Sequence, residues 1–175
     1  MAGVASRTGD GSAGDADYAT IGTAYSRYRQ PDPRIAARIS GPVIILTCDP
    51  TLLRRFWLTG YAPEVIDTEA RRYPSVEALS DGLGGPVDAA VVPVPLDCTD
   101  GFNEAYYGRP EALLEPAARR SCSAWSFVSA AVHDRFARDL SRDLSDGTWD
   151  DRYGHLRTRP SFAGSLILAV SRRPG

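Results

Sequence analysis

Hydrophobic and polar positions divide the chain into three strands and several helices. Val43–Thr47 is an unbroken β-branched and aliphatic run, which predicts a strand buried on both faces. "VDAAVVPVPLD", residues 87–97, reads as a second strand whose prolines place it at or near a sheet edge. "SLILAVSRR", residues 165–173, is a third. Between and before them the period changes to that of helices. Asp32 suits an N-cap and Pro33 a first helical position, with Ile35, Ala36 and Ile39 on one face. "TLLRRFWLTGY" predicts a short helix ending at Gly60. Ser75 caps "VEALSDGL", where Val76, Leu79 and Leu83 form one stripe and Gly84-Gly85 stops the turn. Residues 102–128 are aromatic and helical in character. Over Ser129–Leu144, Val132, Phe136, Leu140 and Leu144 recur every four residues, an inward-packing amphipathic helix. "DGTWDDRYGHLRTRP" reads as a polar loop. Strands alternating with helices predict an α/β class with a small sheet.

Composition narrows the possibilities. A chain of 175 residues, 43% hydrophobic, fits one globular domain of moderate core, residues 18–175. Met1–Asp17, rich in Gly, Ala, Ser and Asp without apolar periodicity, is expected to be a disordered tail. A net charge of -2 gives no electrostatic pull toward nucleic acid or an anionic membrane surface. The longest apolar runs are too short to span a bilayer, and no signal peptide is apparent. Cys48, Cys98 and Cys122 are widely separated and lack the close pairing of a zinc site. These features predict a reduced, cytoplasmic protein with no metal.

Longer motifs then suggest ancestry. "YSRYRQPDPRIAARI" resembles the N-terminal helix of bacterial class I S-adenosylmethionine (SAM)-dependent methyltransferases of the methyltransferase-11-like group. "VIILTCDP" with "FWLTGYAPE" is similar to that group's fifth strand and following loop. "VVPVPLDCTDGFNEAYYGRPEALLEP" and "DLSDGTWDDRYGHLR" with "LILAV" resemble its sixth and seventh strand regions. The resemblance covers nearly all of Tyr18–Ser171.

One part of that pattern is missing. Between Ile39 and Val43 the family would carry its first strand, glycine turn and three more strands with their helices. Those units occupy on the order of 100 residues. No G-x-G-x-G follows a strand, and Gly84-Gly85 sits between a helix and a strand, the reverse order. Nor does an acidic residue close a second strand to hold a ribose. The resemblance therefore implies half of a class I methyltransferase (Rossmann-like) fold that has lost its SAM site, with no cofactor. Of the parent order 3-2-1-4-5-7-6 it would keep 5-7-6. Val43–Thr47 and the Val87–Val94 region would then flank an antiparallel Leu166–Val170. Val43–Thr47 would be an apolar edge, and a bare edge of this kind invites aggregation. Self-pairing across a two-fold axis, a homodimer, would satisfy both edges at once; covering by the N-terminal helix is the other remedy.

Candidate chemistry is scattered. The resemblance puts Tyr25, Tyr28 and Arg29 over the SAM carboxylate; without that pocket they either pack or line a repurposed cavity in which Arg29 holds an anionic or carbonyl oxygen. His155, near Trp149, Arg152 and Tyr153, could serve as general acid or base, or simply bond the loop backbone. His133 borders its helix's apolar stripe. Asp97 and Asp100 follow a strand, where α/β folds place ligand-contacting loops, although Asp and Gly are ordinary turn residues. Cys98 has nothing beside it to activate a thiol. Phe102, Tyr106, Tyr107, Trp125 and Phe127 read first as core; the resemblance places this region over the acceptor substrate, where aromatic walls suit a small apolar molecule.

Three functions are compatible with these residues. One is a cofactor-independent cyclase or isomerase of bacterial specialised metabolism, folding a reactive apolar intermediate. The second is a non-catalytic partner of a full-length methyltransferase. The third is residual methyl transfer with SAM held in some new way.

Overall fold

The computed structural model describes residues 42–171. The expected tail Met1–Asp17, the helix beginning at Asp32, and Tyr25, Tyr28 and Arg29 lie outside the described residues.

Three strands make the main sheet: β1 (Val43–Cys48), β2 (Val87–Val91) and β5 (Leu166–Ser171). The order is β1-β5-β2, with β5 antiparallel to both neighbours. This is the order and direction expected from the sequence. Register is fixed by Leu46 opposite Leu168 and Ala90 opposite Leu168. Directly opposed residues share a face, so Ile44, Leu46, Leu168, Val170, Asp88 and Ala90 point to one side.

Two strand expectations need correction. The 87–97 run is not one strand: Pro93 has no N–H to extend a ladder, and the chain leaves the sheet there. Past it β3 (Val94–Pro95) pairs instead with β4 (Ser161–Phe162) in a separate two-stranded sheet. Nor is β1 buried on both faces. Ile44 and Leu46 are each 62% exposed, while Val43, Ile45 and Thr47 on the other face are half-buried.

Helices follow local signals closely where caps are clear. In α2 (Val76–Leu83) the Ser75 hydroxyl accepts the Ala78 N–H at 3.1 Å, and Gly84 ends the helix at φ 71°. α4 (Ala130–Ser145) buries Val132, Phe136 and Leu140, the expected stripe. Elsewhere regular helices give way to tighter turns. "TLLRRFWLTGY" forms two 3-10 turns, Leu53–Arg55 and Trp57–Gly60, followed by α1 (Pro63–Ala70). The aromatic middle contains only one short α-helix, α3 (Pro116–Ser121), among 3-10 turns at Asn103–Tyr106, Pro110–Leu114 and Ser123–Phe127. The expected polar loop at 146–160 is largely helical, with α5 (Thr148–Tyr153) and a 3-10 turn at Gly154–Leu156. It starts where Gly147 adopts φ 85° and Asp146 accepts the Thr148 N–H.

The hydrophobic core is aromatic and lies among these helices and turns. Phe56, Trp57, Tyr107, Trp125, Phe136 and Trp149 are its largest members. Trp57 meets Trp149 edge-on at 5.7 Å between ring centres, and Tyr107 stacks on Phe162 at 5.3 Å. No side chain of β1, β2 or β5 belongs to this cluster. The main sheet thus lies beside the aromatic cluster within one compact unit, with Ile167 and Ala169 of β5 buried outside that cluster. No helix among the described residues is long and apolar enough to cross a membrane.

Candidate functional site

A polar cluster joins the sheet to the aromatic body at the carboxyl end of β1, the end where α/β folds place their sites. Cys48 closes β1, and the Asp49 N–H donates to the Ser165 carbonyl at 2.8 Å just before β5 begins. Glu104, from the Asn103–Tyr106 turn, reaches into this junction with 1% of its surface exposed. The Ser165 N–H donates to both Glu104 oxygens at 3.0 and 2.9 Å, and its hydroxyl donates to Oε2 at 2.9 Å. Beside it, Asn103 Nδ2 donates to Glu69 Oε2 of α1 at 2.7 Å, while Asn103 Oδ1 accepts from Trp125 Nε1 at 2.9 Å. Tyr73 flanks the Cys48 thiol.

Electrostatics here are set by burial. Desolvation pushes the Glu104 carboxyl up to about 7, against the opposing pull of the Ser165 hydrogen bonds. Burial likewise raises Glu69, with the Asn103 bond pulling the other way. The Cys48 and Cys122 thiols are pushed up to about 11 by burial, so neither is an activated nucleophile. Among the described residues neither Glu104 nor Glu69 has a salt-bridge partner. No group of three His, Cys, Asp or Glu there is placed to hold a metal ion.

The residues picked from sequence fall elsewhere. Tyr107, Trp125 and Trp149 are fully buried. The Tyr107 hydroxyl donates to the Arg159 carbonyl at 2.6 Å, and its own carbonyl accepts from Trp57 Nε1 at 3.0 Å. Rings this enclosed have no surface left to offer a ligand. They act as core, the first of the two readings of the aromatic cluster. Phe102 and Tyr106 are half-buried, with the Arg109 guanidinium 5.7 Å from the Tyr106 ring centre. Asp97 is exposed, beyond β3. His155 is exposed, and no hydrogen bond to its ring or to the Asp97 carboxylate exists among the described residues. Among the described residues, Trp149 and Tyr153 are the only candidate pair brought ring to ring, at 5.7 Å. Sequence reasoning misses the buried Asn103 and Glu104 because a 3-10 turn shows no apolar period to reveal which of its polar residues points inward, and Ser165 because it sits in the irregular link before β5.

A surface cleft of about 340 Å³ lies between α1 and the start of α4, with Thr68, Arg71, Phe127 and Val132 in its walls. Its carboxylates are engaged: Glu64 pairs with Arg135, and Asp67 with Arg54.

No protein-family model matches the sequence, and no curated protein matches it. A solved structure does. It is a provisionally assigned methyltransferase from an antibiotic biosynthesis pathway of Anabaena variabilis ATCC 29413, crystallised at 2.40 Å resolution. The two superpose with a TM-score of 0.66 at 24% identity, over 75% of this chain and 55% of that one. The fold is methyltransferase-like. At that identity the likeness speaks for architecture, and the chain spans little more than half the length of the protein it matches. A methyltransferase-like sheet with three strands and helices beside it is the framework on which the polar junction is mounted.

Proposed function

We propose that this chain is a methyltransferase-derived unit that works without SAM and completes its sheet by association, serving as a docking or assembly subunit in small-molecule biosynthesis. The observation that supports this most is the outer strand. Among the described residues β1 has one sheet neighbour, β5, yet it carries no charged residue and displays Ile44 and Leu46 to solvent. An edge strand without charge, proline or bulge is suited to receiving another strand. In the parent fold the strand corresponding to β1 has a neighbour on each side. The partner we favour is a second copy: β1 against β1 across a two-fold axis supplies every missing backbone partner. It also sets Ile44 and Leu46 of both copies side by side, where cross-strand contact covers part of each.

The cyclase or isomerase reading needs a pocket walled by the aromatic cluster. It ranks lower because Tyr107, Trp125 and Trp149 are enclosed by protein, which among the described residues leaves Asp97, Phe102, Tyr106, Tyr153 and His155 of the candidates to form a substrate surface. Two measurements test the proposal. Sedimentation velocity at micromolar concentration is expected to give a dimer, and a monomeric mass removes the favoured partner. Calorimetric titration with SAM at millimolar concentration is expected to give no binding heat; saturable heat would restore residual methyl transfer.

A further inference from the structure

The aromatic body and the main sheet share no hydrophobic cluster, so what fixes one to the other is a separate question from what holds either together. Glu104 stands at that joint. Its backbone belongs to the Asn103–Tyr106 turn, whose Ala105 is core-buried and whose following residue, Tyr107, stacks on Phe162. Its carboxylate grips Ser165, the residue that leads into β5, the central strand. The fit is close: a Cβ at Gly164 would lie 2.6 Å from both carboxylate oxygens. The N–H of Asp49, just past β1, donates to the Ser165 carbonyl. The Glu104 side chain therefore ties the body to the start of β5, and Ser165 in turn holds the residue that follows β1.

We propose that Glu104 is a proton-operated latch between the aromatic body and the sheet, closed most firmly when its carboxyl carries a proton. The groups facing it explain the direction. From β1 comes the Cys48 thiol and from α1 the Glu69 carboxylate, with the Tyr73 hydroxyl behind them beside Cys48 and Glu69; none is cationic. The nearest positive influence, Arg72, acts on Glu69 and Tyr73 from an exposed position. An ionised Glu104 is a buried charge with a second carboxylate nearby and only the Ser165 donors and the Leu166 N–H to hold it. A neutral Glu104 keeps the Ser165 N–H on its carbonyl oxygen and gives its own proton to Ser165 Oγ, so both groups stay bonded without the charge.

The sign of the pH effect follows from the raised carboxyl. In the unfolded chain it ionises near the ordinary glutamate value, about 4.3. In the folded chain it ionises at about 7. Between those values only the unfolded form loses the proton, so the latch's contribution is complete below about 4.3, declines as pH rises, and is gone once the folded form has ionised.

Glu104→Gln copies the neutral carboxyl, with an amide to give Ser165 Oγ a proton and a carbonyl to accept its N–H. Thermal unfolding of the wild type is expected to fall by several degrees between roughly pH 5 and pH 8. The variant should lose much less and melt above the wild type at the alkaline end. Equal pH slopes in the two proteins would overturn the latch. Should Glu104→Gln not fold, the wild type decides alone: the ¹³C carboxyl resonance of Glu104 must titrate near neutrality. A midpoint in the ordinary carboxylate range ends the proposal. Neither readout depends on dimer formation or on SAM, so the outcome is distinct from that of the assembly proposal.

Discussion

At the scale of single residues, close approach matters more than chemical type. Gly164 has no unusual backbone angle, yet any side chain there meets the Glu104 carboxylate and the Phe162 ring, each 2.6 Å from a Cβ. Because both neighbours are held within packed structure, Gly164→Ala should destabilise by about 1–3 kcal/mol. A urea midpoint unchanged by this substitution would show that the Glu104 junction is loose. Tyr107→Phe removes only the hydroxyl that donates to the Arg159 carbonyl, and a cost of about 1 kcal/mol is expected in the same experiment. His155→Ala should be nearly silent, within about 0.5 kcal/mol, since the ring is exposed and makes no hydrogen bond among the described residues. A large loss there would mean that the imidazole has a structural partner.

At the scale of elements, caps decide more than apolar content. α2 has no fully buried residue, so its boundaries carry unusual weight. The Ser75 hydroxyl satisfies the Ala78 N–H at one end, and Gly84 takes a left-handed conformation at the other. Ser75→Ala should cost about 1 kcal/mol. Gly84→Ala should cost about 1–2 kcal/mol through backbone strain alone, because a Cβ there would meet no atom within 4 Å. Chemical denaturation of the two single variants and their pair checks both values, and additivity is expected for ends this far apart. The same logic explains α5. Its polar sequence predicts a loop, but Gly147 and Asp146 start the helix and Trp149 anchors it in the core. Four-residue and five-residue 3-10 turns dominate the middle of the chain for the opposite reason. Pro110, Pro116 and Gly108 interrupt it too often for a longer helix to propagate.

At the scale of the whole molecule, the aromatic body and the main sheet have different demands. The aromatic body closes on itself: Trp57 meets both Tyr61 and Trp149 edge-on, and the Tyr61 hydroxyl donates to the buried Asp143 at 2.9 Å. The sheet does not close. One face of β1 is open, and the open apolar strip continues onto Leu168 and Val170 of β5, which are half-buried. Replacing Ile44 and Leu46 together with lysine should abolish self-association, as seen by sedimentation velocity, and leave the circular dichroism spectrum unchanged. If the double variant sediments with the wild-type mass, β1 is not the contact. A spectrum that collapses would show instead that these side chains are needed for the fold of one chain.

Much was fixed by local pattern. The three strands, the Ser75-capped helix and the stripe of α4 were legible because each has a period or a cap that sterics and hydrogen bonding make obligatory. The resemblance to class I methyltransferases added the antiparallel placement of β5 between β1 and β2, which local pattern cannot supply. Tertiary structure decided the rest. Whether Tyr107, Trp125 and Trp149 wall a pocket or fill a core depends on what faces them from Trp57, Phe136 and Phe162, residues distant in sequence. Glu104 looked like any surface glutamate until the chain brought Ser165 to it from 61 positions away. Apolar patterning reports which residues leave water; which buried polar group meets which partner is set only when the elements pack.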